Sequence, residues 1–133
     1  MPFPAVVFRI DFADDCNVGP GKVRLLEAIQ KSGSLSRAAR DLGMSYRRAW
    51  LLIESLNTSF SEPCTAAAVG GKGGGGMQVT PFGCTLIKSY RTLEVDIQQA
   101  SARHLRAVVV NVGGARAGKG VVSRRSLKPK SQR

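Results

Sequence analysis

Apolar residues recur at three- and four-residue spacing in three stretches of this chain, each bounded by residues that start or stop a helix. In the first, Val23, Leu26 and Ile29 line one face with Leu25 and Ala28 beside them. Pro20 suits the opening helical position and Gly33 the stop. From Gly33 to Asn57 the pattern reads as two helices joined at Gly43 by a turn too short to let them lie antiparallel. Ser36 is expected to cap the first and Ser45 the second, because a hydroxyl before a helix accepts a bond from an orphan backbone N–H. Ala38 and Ala39 are small enough for close approach, and Gly43 takes the positive φ that the turn needs. Tyr46, Ala49, Trp50, Ile53, Leu56 and Phe60 form the buried stripe expected of the second helix, with Trp50 read as core. Ser61-Glu62-Pro63 end it.

Period-two patterns are shorter. Val6 to Phe12 predicts a half-buried strand, with Phe8, Ile10 and Phe12 on one side, and Asp14 to Gly21 a turn-rich connection. Cys64–Val69 and Met77–Thr80 predict two strands around the run Gly70-Gly71-Lys72-Gly73-Gly74-Gly75-Gly76. Two strands around such a tip, directly after a helix-turn-helix, are what a wing looks like. A nucleotide-binding loop requires Ser or Thr after its lysine, and Lys72 is followed by Gly73. A plain flexible linker remains the competing reading.

Thr80-Pro81 pairs a capping hydroxyl with a proline at the first helical position. Beyond it Leu86, Tyr90, Leu93, Ile97, Ala100 and His104 are spaced 4, 3, 4, 3 and 4 apart, a heptad-like seam. A helix over residues 81–105 would run about 37 Å, so its stripe needs a partner. Packing on its own domain is one answer and a dimer through a second copy of the helix is another. Val108, Val109, Val110 and Val112 suggest one short strand, and from Gly113 a polar, basic tail follows. The expected fold is therefore mainly α with a small β component: a winged helix-turn-helix plus a long C-terminal dimerisation helix. Residues 1–106 would form the DNA-binding domain with that helix, and residues 107–133 a tail without a packed core.

Charge changes this picture less than its size suggests. The chain has 133 residues and a net charge of +11, but nine of its basic residues and no acidic ones lie between Arg103 and Arg133. The remainder carries 11 basic and 9 acidic residues, so the motif and not the charge supports DNA binding. Three widely spaced cysteines fit free thiols in a reducing cytoplasm. No apolar run approaches the roughly 20 residues that span a bilayer, and Met1–Ile10 lacks the pattern of a secretory signal.

The candidate chemistry is readout of duplex DNA. A helix whose first turn offers Ser45, Tyr46, Arg47 and Arg48 is suited to the major groove, where one arginine would read guanine and the other fix a phosphate. Ser34 and Ser36, placed at the end of the preceding helix, and Lys72 on the wing would hold the backbone. An enzyme is not expected, since the single histidine, His104, lies on the seam without a nucleophile or carboxylate pair at catalytic spacing. Cys16, Cys64, Cys84 and His104 make no zinc pattern, so no metal or cofactor is expected. Cys64 or Cys84 as a redox sensor is weaker than either as a small buried hydrophobe.

With these residues in hand, the chain resembles the molybdate-responsive ModE regulators in their N-terminal DNA-binding domain, and is similar to the DNA-binding head of LysR-type regulators. The resemblance rests on residues 19–29, on Gly33-Ser34, Ser36 and Ala38-Ala39, and on residues 42–50. The glycine-rich tip and Thr80-Pro81-Phe82-Gly83 add to it, so that it runs roughly from Phe8 to Leu105. It implies a bacterial regulator, dimeric through the long helix, and two-fold symmetry then predicts a palindromic operator. Members of the family carry molybdate-binding domains beyond that helix, whereas only residues 106–133 follow here, so molybdate binding is not expected. The rival to a regulator is a dimeric adaptor whose basic tail binds nucleic acid without sequence preference.

Overall fold

The computed structural model describes residues 4–68 and 75–113. Two antiparallel strands open it, β1 (Ile10–Ala13) and β2 (Cys16–Val18), in the register Ile10↔Val18 and Asp11↔Asn17 with a bulge before Ala13↔Cys16. The observed strand is thus shorter than the expected Val6–Phe12, and its partner lies inside the stretch expected to be only a connection. Phe8 and Ile10 are half-buried with Arg9 exposed between them, but Phe12 is exposed, and β2, three residues long, pairs nothing before Ile10.

Helix α1 (Pro20–Ser32) begins at its proline and ends on Gly33, whose φ of 77° lets its N–H bond back to the Ile29 carbonyl at 2.8 Å. Val23, Leu25, Leu26 and Ile29 are all buried. Helix α2 (Leu35–Asp41) follows at once. Its cap is Ser34 and not Ser36: the Ser34 backbone is extended and its Oγ accepts from Arg37 N–H at 3.1 Å. Because Gly33 already terminates α1, the next residue sits at the cap, and Ser36 falls inside the first turn. Gly43, at φ 69°, closes the turn, in which Met44 N–H donates to Ala39 O at 3.0 Å. Helix α3 (Tyr46–Ser59) starts on the predicted cap, Ser45 Oγ accepting from Arg48 N–H at 3.1 Å.

The second hairpin, β3 (Thr65–Ala68) and β4 (Gly76–Val79), is pinned to the helices at both ends. Asn57 near the end of α3 accepts from Cys64 N–H at 2.7 Å and Thr65 N–H at 3.1 Å, and donates to Thr65 Oγ1 at 3.0 Å. Met77 N–H donates to Gly33 O at 2.9 Å. Helix α4 (Pro81–His104) begins where Thr80 Oγ1 accepts from Gly83 N–H at 3.0 Å and donates to Pro63 O at 2.7 Å. The turn packs so closely on Cys64, just before β3, that a Cβ at Gly83 would lie 2.4 Å from its carbonyl oxygen. A short helix α5 (Arg106–Val109) follows in place of the strand expected over Val108–Val112. No strand among the described residues pairs with that segment, and Val109 N–H bonds Leu105 O at 2.8 Å instead.

The chain divides into two compact units, Val7–Val95 and the described residues of Met1–Val6 with Asp96–Arg133. The first holds a core built from α1, α2, α3 and the early turns of α4, in which Leu26, Ile29, Ala38, Ile53, Leu56 and Tyr90 are buried together. Tyr90 stacks on Phe8 with centroids 4.6 Å apart and donates to the Phe8 carbonyl at 2.8 Å. Arg91 makes a bidentate pair with Glu27 at 2.8 and 2.9 Å and reaches Glu94 at 2.7 Å. In the second unit Gln98 accepts from Val6 N–H at 2.6 Å and donates to Pro4 O at 2.9 Å. The architecture is mainly α with two small antiparallel hairpins, and the order α1-α2-α3-β3-β4 is winged-helix-like.

Candidate nucleic-acid interface

Helix α3 is held from within by Ala49, Ile53 and Leu56, which are buried against the other helices. Lys22 braces its middle, donating to Asn17 O at 2.9 Å and Ser55 Oγ at 3.1 Å. With the inner face fixed, the first two turns are free to present side chains. Ser45, Arg47 and Arg48 are exposed, and among the described residues neither guanidinium is held in an ion pair. Arg37 and Arg40 on α2 are exposed too. The Ser34 and Ser36 hydroxyls lie 3.2 Å apart at the start of α2, and Ser34 Oγ is occupied by its capping bond.

The stripe expected of α3 holds only in part. Tyr46 is 56% exposed and Trp50 46% exposed, so neither is core, and Leu51 at 48% joins them outside. Tyr46, Arg47 and Trp50 wall a shallow depression of about 300 Å³. The angular signal was available in the sequence. One residue is about 100° of helix, so Trp50 stands a quarter-turn away from Ala49 while Ile53 and Leu56 stay close to its line. Spacing by threes and fours brackets such a flanking position without telling which side of the boundary it falls on.

Other expected site residues separate. Lys72 lies outside the described residues. Of the seam on α4, Leu86 and Tyr90 are buried in the first unit's own core and cannot line an interface between copies. The reason is position: at Gly83 this end of α4 is pressed onto Cys64, just before β3, and onto Val79 of β4, and its first turns join the core beside α1 and Phe8. Leu93 is 39% exposed, Ile97 and Ala100 are half-buried, and His104 is exposed. Burial pushes the Cys64 thiol up to about 11, which suits an inert hydrophobe. Cys84, expected to be buried, is exposed, its Sγ accepting from Gln30 Nε2 at 3.3 Å. Among the described residues no three His, Cys, Asp or Glu side chains gather as a metal site, and no helix is long and apolar enough to cross a membrane.

A winged-helix-like body with a capped, cationic helix end turned to solvent is the structural class of a helix-turn-helix protein. Known proteins narrow the class. Over 82 residues, 62% of this chain, it is 42% identical to the molybdenum transport protein ModE of Azotobacter vinelandii, covering 30% of that protein. It is 42% identical over 80 residues to the molybdenum-pterin-binding protein MopB of Rhodobacter capsulatus. The same identity over 80 residues relates it to the DNA-binding transcriptional dual regulator ModE of Escherichia coli K12, again with 30% of that protein covered. No family model matches the chain. The chain thus matches ModE-type regulators over about three fifths of its own length, while spanning about 30% of the length of these curated relatives.

Proposed function

We propose that this chain is a sequence-specific DNA-binding head of a transcription regulator. Helix α3 enters the major groove by its N-terminal turns, Ser45 and Tyr46 face the groove, and Arg47 and Arg48 divide base reading and phosphate contact between them. Ser34, Ser36 and Lys72 act on the backbone. One observation carries the reading: the two guanidiniums stand in solvent on the first turn of a helix whose opposite face is locked in the core. The relative from Escherichia coli is named as a DNA-binding regulator, which favours the same reading.

Two copies meet through the outer part of α4, using Leu93, Ile97, Ala100 and His104, and the operator is accordingly palindromic. The exposed Leu93 supports an apolar contact there. Light scattering should give a dimer mass for the wild type and a monomer mass for Leu93→Lys.

Selection of bound duplexes from a random pool is the first test. Arg47→Ala and Arg48→Ala are then compared on the selected and a scrambled duplex. Loss of a base-reading arginine costs about 1–3 kcal/mol on the selected site alone, and loss of a phosphate contact weakens both duplexes alike. Equal binding to both duplexes that disappears when residues 114–133 are removed would overturn the reading in favour of a nonspecific tail.

A further inference from the structure

We infer that the aromatic pair Tyr46 and Trp50 reads thymine through its 5-methyl group, next to a base read by Arg47. This rests on the DNA-binding reading above and specifies its target. Two large aromatic side chains at i and i+4 on a cationic helix face are poorly placed for stability. They leave apolar surface in water beside the exposed Leu51, although buried positions lie a quarter-turn away. They wall the 300 Å³ depression together with Arg47, whereas Arg48 lies about 100° further round the helix and does not line it. The face therefore offers an apolar wall and one guanidinium side by side.

The chemistry of the major groove matches that pairing. Only thymine presents a methyl group there, and only guanine presents the paired N7 and O6 acceptors that a guanidinium takes bidentately. Arg47, Trp50 and Leu51 follow one another at i, i+3 and i+4, and all three are exposed. That spacing runs one side-chain row along the groove floor. Among the exposed residues of the first two turns the only charges are the two arginines, so a polyanion is the partner that the charge favours. Arg47 becomes the base-reading arginine and Arg48 the phosphate one.

The test replaces thymine by deoxyuridine, position by position, in the duplex selected from the random pool. This removes the methyl group and leaves base pairing intact. Wild-type binding should fall about fourfold for each methyl that the aromatic wall covers. Trp50→Ala should bind thymine and deoxyuridine duplexes equally while still discriminating at the guanine, and Arg47→Ala should show the reverse. The emission of Trp50, the single tryptophan of the chain, should change on the selected duplex. Deoxyuridine tolerated everywhere by the wild type would overturn the inference while leaving the DNA-binding reading intact. The same holds if Trp50→Ala keeps its methyl sensitivity, or if it changes only the oligomeric mass, which would mark the aromatic pair as a protein contact. If no sequence is selected at all, both readings fall.

Discussion

Helices α3 and α4 both begin at a hydroxyl cap and both carry apolar residues at helical spacing, yet they hide different parts of that stripe. On α3 the first two turns bury only Ala49 and leave Tyr46 and Trp50 in solvent, whereas Ile53 and Leu56 further along are buried. On α4 the order is reversed: Leu86, Ile87 and Tyr90 are buried early, and Leu93 and Val95 are exposed later. What packs on each end makes the difference. The start of α4 is pressed onto Cys64 and Val79 at Gly83, whereas the start of α3 projects from the Gly43 turn with its inner face alone in contact. A helix end that projects suits a ligand, and one that is pressed down suits a scaffold.

This contrast is measurable. Tyr90→Ala should destabilise by about 3–5 kcal/mol, since it empties a core position, while the exposed Trp50→Ala should stay within about 0.5 kcal/mol. Denaturant midpoints at constant slope give both values, and a Trp50 loss comparable to that of Tyr90 would remove the distinction. Gly83→Ala should cost about 1–3 kcal/mol, because the new methyl meets the Cys64 carbonyl and Val79 and forces the turn away from them. On the other helix pair, Ser34→Ala should cost about 1 kcal/mol and Ser36→Ala close to nothing, since only Ser34 caps α2.

The smallest effect concerns acid. The Arg91 guanidinium bonded to Glu27 holds that carboxyl below its ordinary value of 4.5, against a smaller opposing effect of burial. A depressed folded pKa gives stability that is present above the ordinary value and lost as pH falls through the lowered one. Arg91→Ala should therefore flatten the acid limb of the stability profile below pH 4.5. Both groups are over a third exposed or close to it, so solvent and salt keep the effect modest.

Much of the fold was legible in residue order. Pro20, Gly33, Gly43, Ser45, and Thr80 with Pro81 all mark element boundaries where the structure has them, because caps and positive-φ turns are local events. Misplacements arose where two local candidates competed, as with Ser34 and Ser36, or where a partner strand was needed. The segment Val108–Val112 has strand-forming side chains, but with no strand paired to it among the described residues, local i→i+4 bonding prevails at its start.

Residue order alone thus determined that three amphipathic helices and a hairpin exist, and that two arginines follow the cap of the third helix. Tertiary packing decided on which side of the boundary the flanking residues of each stripe fall. It drew Leu86 and Tyr90 into the core and left Tyr46 and Trp50 outside. Helical spacing states only which residues share a face. Whether a face is covered depends on distant segments, here Phe8, α1 and Cys64, that arrive from elsewhere in the chain.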